Sequence, residues 1–113
     1  MTIPIIAITM GDAAGIGPEV TAKSLQGADL YRRCRPFVVA DPAVMSAAVT
    51  LAGLPMAVRE VASPEEAEFR PGLLDVVRPP ELERLTVAHG HLSAAAGRGA
   101  ALCIREAFRL AAA

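Results

Sequence analysis

The chain predicts an α/β protein, βαβαβ in order with a long final helix, built on a parallel or mixed sheet. Three observations carry this. Short apolar runs recur at Ile3 to Ile8, Pro36 to Ala40 and Leu73 to Val77, and runs of that length rich in β-branched residues read as buried strands. Segments with helix punctuation stand between them. A glycine-rich turn, Gly11-Asp12-Ala13-Ala14-Gly15-Ile16-Gly17-Pro18-Glu19, leads from the first run into a helix start.

The elements follow in order. Pro18 suits the opening turn of a helix, where a missing N–H costs little, and Glu19 complements the positive helix end. That helix is expected from Glu19 to about Gln26, and Arg32-Arg33-Cys34-Arg35 reads as a basic connector into the second strand. Asp41 caps the next helix with Pro42 at its first position. Val44, Ala47, Ala48 and Leu51 fall at helical spacing there, and Gly53 ends it. Met56 to Val61 alternates loosely as a third strand. Ser63-Pro64-Glu65-Glu66 reads as a turn or a short helix start, before an exposed linker through Gly72.

The fourth strand, Leu73 to Val77, stops at Pro79-Pro80. Glu81 to Gly90 is loop-like, with Leu82, Leu85 and Val87 expected to touch the core. A last helix runs from a Ser93 cap to Ala113. Ala96, Ala100, Cys103, Ala107 and Leu110 form its covering stripe, Ala101, Ile104 and Phe108 lie beside it, and Arg98, Arg105 and Arg109 occupy the opposite face. The small residues Ala96, Gly97, Gly99 and Ala100 permit close approach, so the helix reads as a sheet cover or as a contribution to a subunit contact.

Strand, glycine turn and helix start together aim backbone N–H groups at a space where an anion can sit. A need for a tight strand-to-helix connection also accounts for the glycines without any ligand. The spacing G-x-x-x-G-x-G is neither the Rossmann fingerprint nor a P-loop.

Residue by residue, Thr9-Met10-Gly11-Asp12-Ala13-Ala14-Gly15-Ile16-Gly17-Pro18-Glu19 resembles the opening of the 4-hydroxythreonine-4-phosphate dehydrogenase family of pyridoxal-phosphate biosynthesis, with Ala13 where the family has proline. Gly90-His91-Leu92-Ser93-Ala94-Ala95-Ala96-Gly97 looks like that family's segment leading into a long helix. Isopropylmalate and isocitrate dehydrogenases carry a similar motif. The extra residue before Gly15 and the later segment favour the hydroxythreonine-phosphate group. A relative acting on erythronate or threonate phosphate fits equally well.

The resemblance implies an isocitrate/isopropylmalate dehydrogenase-like fold, of which residues 1–113 are the opening part of a longer α/β dehydrogenase. The metal- and substrate-binding part is expected to lie outside this chain. A genuine small protein with a frayed helical end is the alternative. The implied cofactors are NAD or NADP and a divalent metal (zinc, magnesium or cobalt), the metal not bound by this chain. Gly11, Asp12, Gly15, Gly17 and Glu19 would form a wall near cofactor or phosphate, with no catalytic residue and no metal ligand assigned. The implied substrate is 4-hydroxythreonine 4-phosphate or a similar phosphorylated hydroxy acid, oxidised and decarboxylated by a homodimeric cytoplasmic enzyme, with this chain alone expected to be inactive. A non-catalytic nucleotide-binding or interaction module is the reading from a different class.

Composition excludes several functions. The net charge of −1 gives no footprint for nucleic acid or an anionic membrane surface. No run approaches the roughly 18 apolar residues of a membrane span, and no basic region precedes the first apolar segment as in a secretory signal. Twenty-three alanines against four aromatic residues raise the apolar fraction without adding bulky core. Cys34 and Cys103 lack metal-like spacing and read as buried small hydrophobes. His89 and His91 flank Gly90, and zinc needs three protein ligands even in an open site, so the pair reads as loop or cap.

Overall fold

The computed structural model describes residues 3–11, 13–82 and 94–112. Four strands, β1 (Ile5–Thr9), β2 (Arg35–Val39), β3 (Ala57–Val61) and β4 (Leu73–Val77), form one sheet in the order β1-β2-β4-β3. All three pairings are parallel. The helices are α1 (Gly17–Ser24), α2 (Ala28–Arg33), α3 (Pro42–Ala52) and α4 (Ala94–Ala112), with one 3-10 turn at Pro64–Glu66. The predicted α/β class and its alternation therefore stand.

The two inner strands carry the core. Pro36 to Val39 and Leu74 to Val77 are buried throughout, as expected of strands covered on both faces. Pro36 sits in an inner strand at no cost to the ladder. The Arg35 N–H donates to the Pro4 carbonyl at 2.7 Å, on the β1 side. Successive residues aim their N–H groups to opposite sides, so the donor missing at Pro36 belongs on the β4 side, where pairing begins only at Val38.

The first strand departs from expectation. It starts at Ile5 rather than Ile3, and it is an edge strand with Ile5 54% and Ile6 42% exposed. Its apolar run matches a buried strand, yet β2 is its only neighbour among the described residues. The basic connector is also corrected. Arg32 and Arg33 are the last turn of α2, where cations suit the negative helix end, and Arg35 already belongs to β2. Gly27 supplies no capping side chain and α2 buries no residue, so neither of the usual helix signals marks it.

α3 has the predicted ends. Asp41 accepts from the Ala43 N–H at 2.9 Å, Pro42 opens the helix, and Gly53 closes it at φ 67°. Of the predicted Val44, Ala47, Ala48 and Leu51, Ala48 is buried and Val44 packs on the core, whereas Ala47 and Leu51 are exposed and Met45 and Val49 complete the buried face. The predicted and the buried sets both obey the helical period in a helix that is apolar nearly all round, so spacing does not choose between them. Packing against α1 and β3 does.

α4 lies over β1 and β2. Cys103 is fully buried and Ala107 and Leu110 pack on the core, as the stripe predicted, and Arg98, Arg105 and Arg109 are exposed. Ile104 and Phe108 are instead 60% and 77% exposed, with Ala101 also outside. Glu106 takes a buried place that the pattern did not predict, and it pairs with Arg109. Leu82 is buried as expected. Leu85, Val87, His89, Gly90, His91 and the Ser93 cap lie outside the described residues.

Candidate functional site

In a parallel sheet every strand exits on the same edge, and α/β proteins bind their ligands beyond that edge. Four exits meet it, and three are neighbours: Met10-Gly11 after β1, Ala40-Asp41 after β2 and Arg78-Pro79 after β4. The Ala40 N–H donates to the Val77 carbonyl at 3.1 Å, tying two of them together.

The glycine turn is built from the inside. Met10 is fully buried, Ala13 and Ala14 are buried, and Pro18 is buried in the first turn of α1. Gly11 holds φ +74° and Gly17 packs on the exit of β1, where a Cβ would stand 2.3 Å from the Met10 carbonyl oxygen. Two of the three glycines are thus accounted for by the turn's own geometry. Ile16 occupies the helix cap without a capping side chain, and its carbonyl accepts from the Val20 N–H at 3.0 Å. Glu19 is half-buried in the first turn, on the favourable side of the helix dipole. Asp12 lies outside the described residues.

Sequence reasoning missed two features beside the turn. Ile16 and Val20 stand one helical turn apart and are both exposed, so the helix start carries an apolar lip. The carboxylate of Asp41 is buried at the exit of β2 while it caps α3. The Asp-Pro pair signalled the cap, but only the strand order puts it at the same edge as the glycine turn.

The electrostatics give no activated nucleophile among the described residues. Burial, and then the negative charge of Asp41, push the Cys103 thiol up to about 11. Burial, then Asp75 and Cys34, raise Tyr31 above the ordinary phenol value. Among the described residues no three His, Cys, Asp or Glu side chains are grouped to hold a metal. A cavity of about 90 Å³ is lined by Pro79, Glu81, Leu102, Arg105, Glu106 and neighbours, away from the glycine turn. No described helix is long and apolar enough to cross a membrane. The start of α1 at the turn is a positive helix end, which favours an anion.

Comparison with known proteins places this geometry. No protein-family model matches the chain. A D-threonate 4-phosphate dehydrogenase of Bordetella bronchiseptica is 46% identical over 112 residues, 96% of this chain and 31% of the relative. A 4-hydroxythreonine-4-phosphate dehydrogenase of Desulfosudis oleivorans is 40% identical over 84 residues, 74% of this chain and 25% of the relative. The crystal structure of a 4-hydroxythreonine-4-phosphate dehydrogenase from Burkholderia phymatum superposes with a TM-score of 0.92 at 38% identity, over 99% of this chain and 34% of that one. The chain spans about a third of the length of the curated relatives it matches first.

The class is thereby defined: a parallel-sheet α/β chain whose relatives are dehydrogenases. The family resemblance carried by the glycine turn holds along nearly the whole chain, which is similar to part of the 4-hydroxythreonine-4-phosphate and D-threonate 4-phosphate dehydrogenases.

Proposed function

We propose that this chain is the opening part of an NAD- or NADP-dependent dehydrogenase that oxidises and decarboxylates a phosphorylated four-carbon hydroxy acid. The carrying observation is the likeness of nearly the whole chain to a D-threonate 4-phosphate dehydrogenase, at 46% identity, and to a 4-hydroxythreonine-4-phosphate dehydrogenase structure, at TM-score 0.92. Threonate phosphate is the favoured substrate over hydroxythreonine phosphate. The relative named for it is more identical, 46% against 40%, and is matched over more of this chain, 96% against 74%.

In this reading the fold of the whole protein is isocitrate/isopropylmalate dehydrogenase-like, and the enzyme is a cytoplasmic homodimer. Gly11, Asp12, Gly15, Gly17 and Glu19 wall the cofactor or the substrate phosphate, with the start of α1 presenting its N–H groups to the anion. The described residues supply no metal ligand set, so the divalent metal of this reading is held outside them. This chain alone has no dehydrogenase activity.

The test uses the complete product of the gene that encodes this chain. Nicotinamide reduction is followed with D-threonate 4-phosphate and with 4-hydroxythreonine 4-phosphate, each with and without added divalent metal. Metal-dependent turnover, with the larger kcat/KM for the threonate ester, is the expected result. Turnover of neither ester by the complete product, together with nucleotide binding by this chain alone, would replace the enzyme with a binding module.

A further inference from the structure

β3 and β4 are adjacent and parallel, and a connection between such strands ordinarily lays a helix over the sheet. Ala62 to Gly72 lays down only the turn Pro64–Glu66. Charge holds it instead. Arg59 and Asp75 are partners in the β3–β4 register, so their side chains leave the same face. The Asp75 carboxylate, 1% exposed, accepts from Arg59 Nε at 3.0 Å and from the Glu68 N–H at 2.9 Å. Arg59 Nη2 donates to the Glu66 carbonyl at 2.8 Å, and the Ala62 N–H donates to Glu66 Oε2 at 2.7 Å.

Within the same segment Phe69 is half-buried against the core and holds φ 50°. That left-handed conformation is costly for a bulky side chain. The segment therefore combines little regular structure, a strained aromatic anchor and four polar ties, two meeting on the buried Asp75 carboxylate and two on Glu66. Segments of this kind sit at the low end of a protein's local stabilities.

We propose that Ala62 to Gly72 is a strap that opens as a unit while the sheet beneath stays folded, and that Asp75 is its latch. Opening relieves the backbone at Phe69 and uncovers the β3–β4 face. Asp75 controls it because one carboxylate receives both the strand's arginine and the strap's own amide. Losing either tie leaves the other less well oriented.

Hydrogen exchange read by mass spectrometry across a denaturant series tests this. In the unaltered chain the strap amides are expected to exchange with little denaturant dependence, while β2 amides follow global unfolding. Asp75→Asn keeps the shape and removes the charge, and should speed strap exchange by roughly tenfold or more while β2 remains protected. Arg59→Lys keeps the charge but does not span both Asp75 and the Glu66 carbonyl, and should give a smaller increase. A shared denaturant dependence of strap and β2 in the unaltered chain overturns the strap. Strap exchange unchanged in either variant overturns the latch.

Discussion

A methyl group added at position 17 would meet the Met10 carbonyl oxygen at 2.3 Å. The contact is with backbone, which does not swing aside as a long side chain does. Gly17→Ala is therefore expected to lower stability by about 1–3 kcal/mol, the cost of overpacking, read as a fall in the urea midpoint. Gly11→Ala meets nothing within 4 Å, but its φ of +74° lies in the left-handed region, so it should cost about 1–2 kcal/mol for a different reason. Both uses of glycine, the tight turn and the close approach, were legible in the sequence. Which glycine serves which use was not, because the partner of Gly17 is a carbonyl seven residues earlier that only the fold brings back. The exposed pair Ile16 and Val20 was equally hidden, since an apolar residue at a helix start reads as core until its surroundings are known.

At the level of the element, capping chemistry is what the sequence transmits best. Asp41, Pro42 and Gly53 mark both ends of α3, and the structure follows them. α2 carries no such cap, and only its last two residues, Arg32 and Arg33, fall within the segment that the sequence marks as a basic connector. For α4 the stripe through Cys103 was legible, whereas the periodicity alone does not say that Ile104 and Phe108 beside it stay exposed. The seating of α4 has a pH signature. Cys103 is raised from its ordinary 9.0 to about 11 in the folded chain, so folding binds that proton more tightly than the unfolded chain does. Its contribution to stability is fully present below pH 9 and is lost as the pH rises toward 11. Unfolding measured across this window should show a decline that Cys103→Ala makes shallower. Below pH 9 a thiol reagent should label Cys103 only as fast as the chain opens.

For the molecule as a whole, apolar side chains divide into two populations. Leu74, Val38, Val76 and Met45 are fully enclosed, while Ile5, Leu51, Ile104 and Phe108 are exposed. Leu74→Ala should therefore cost about 2–5 kcal/mol. Phe108→Glu should stay within about 0.5 kcal/mol of the original and should reduce association at high concentration, as light scattering can show. A Phe108→Glu chain as destabilised as the Leu74→Ala chain would place that ring in the core. The fold class was legible because strand and helix signals alternate along the chain. Strand order was not, since nothing local in Ala57 to Val61 or Leu73 to Val77 says that β4 inserts between β2 and β3. The convergence of Asp41 and Arg78 on the edge of the glycine turn follows from that order, so it too was out of reach.

The same strand order has a bearing on synthesis. A ribosome delivers β1, β2 and β3 before β4, yet β3 touches the rest of the sheet only through β4. During translation the third strand must wait, unpaired, until Leu73 to Val77 has emerged. A nascent chain halted before Leu73 holds a two-stranded ribbon and a third strand whose backbone has no strand partner, the kind of species that chaperones capture. The strand made last among the four is the one that closes the sheet.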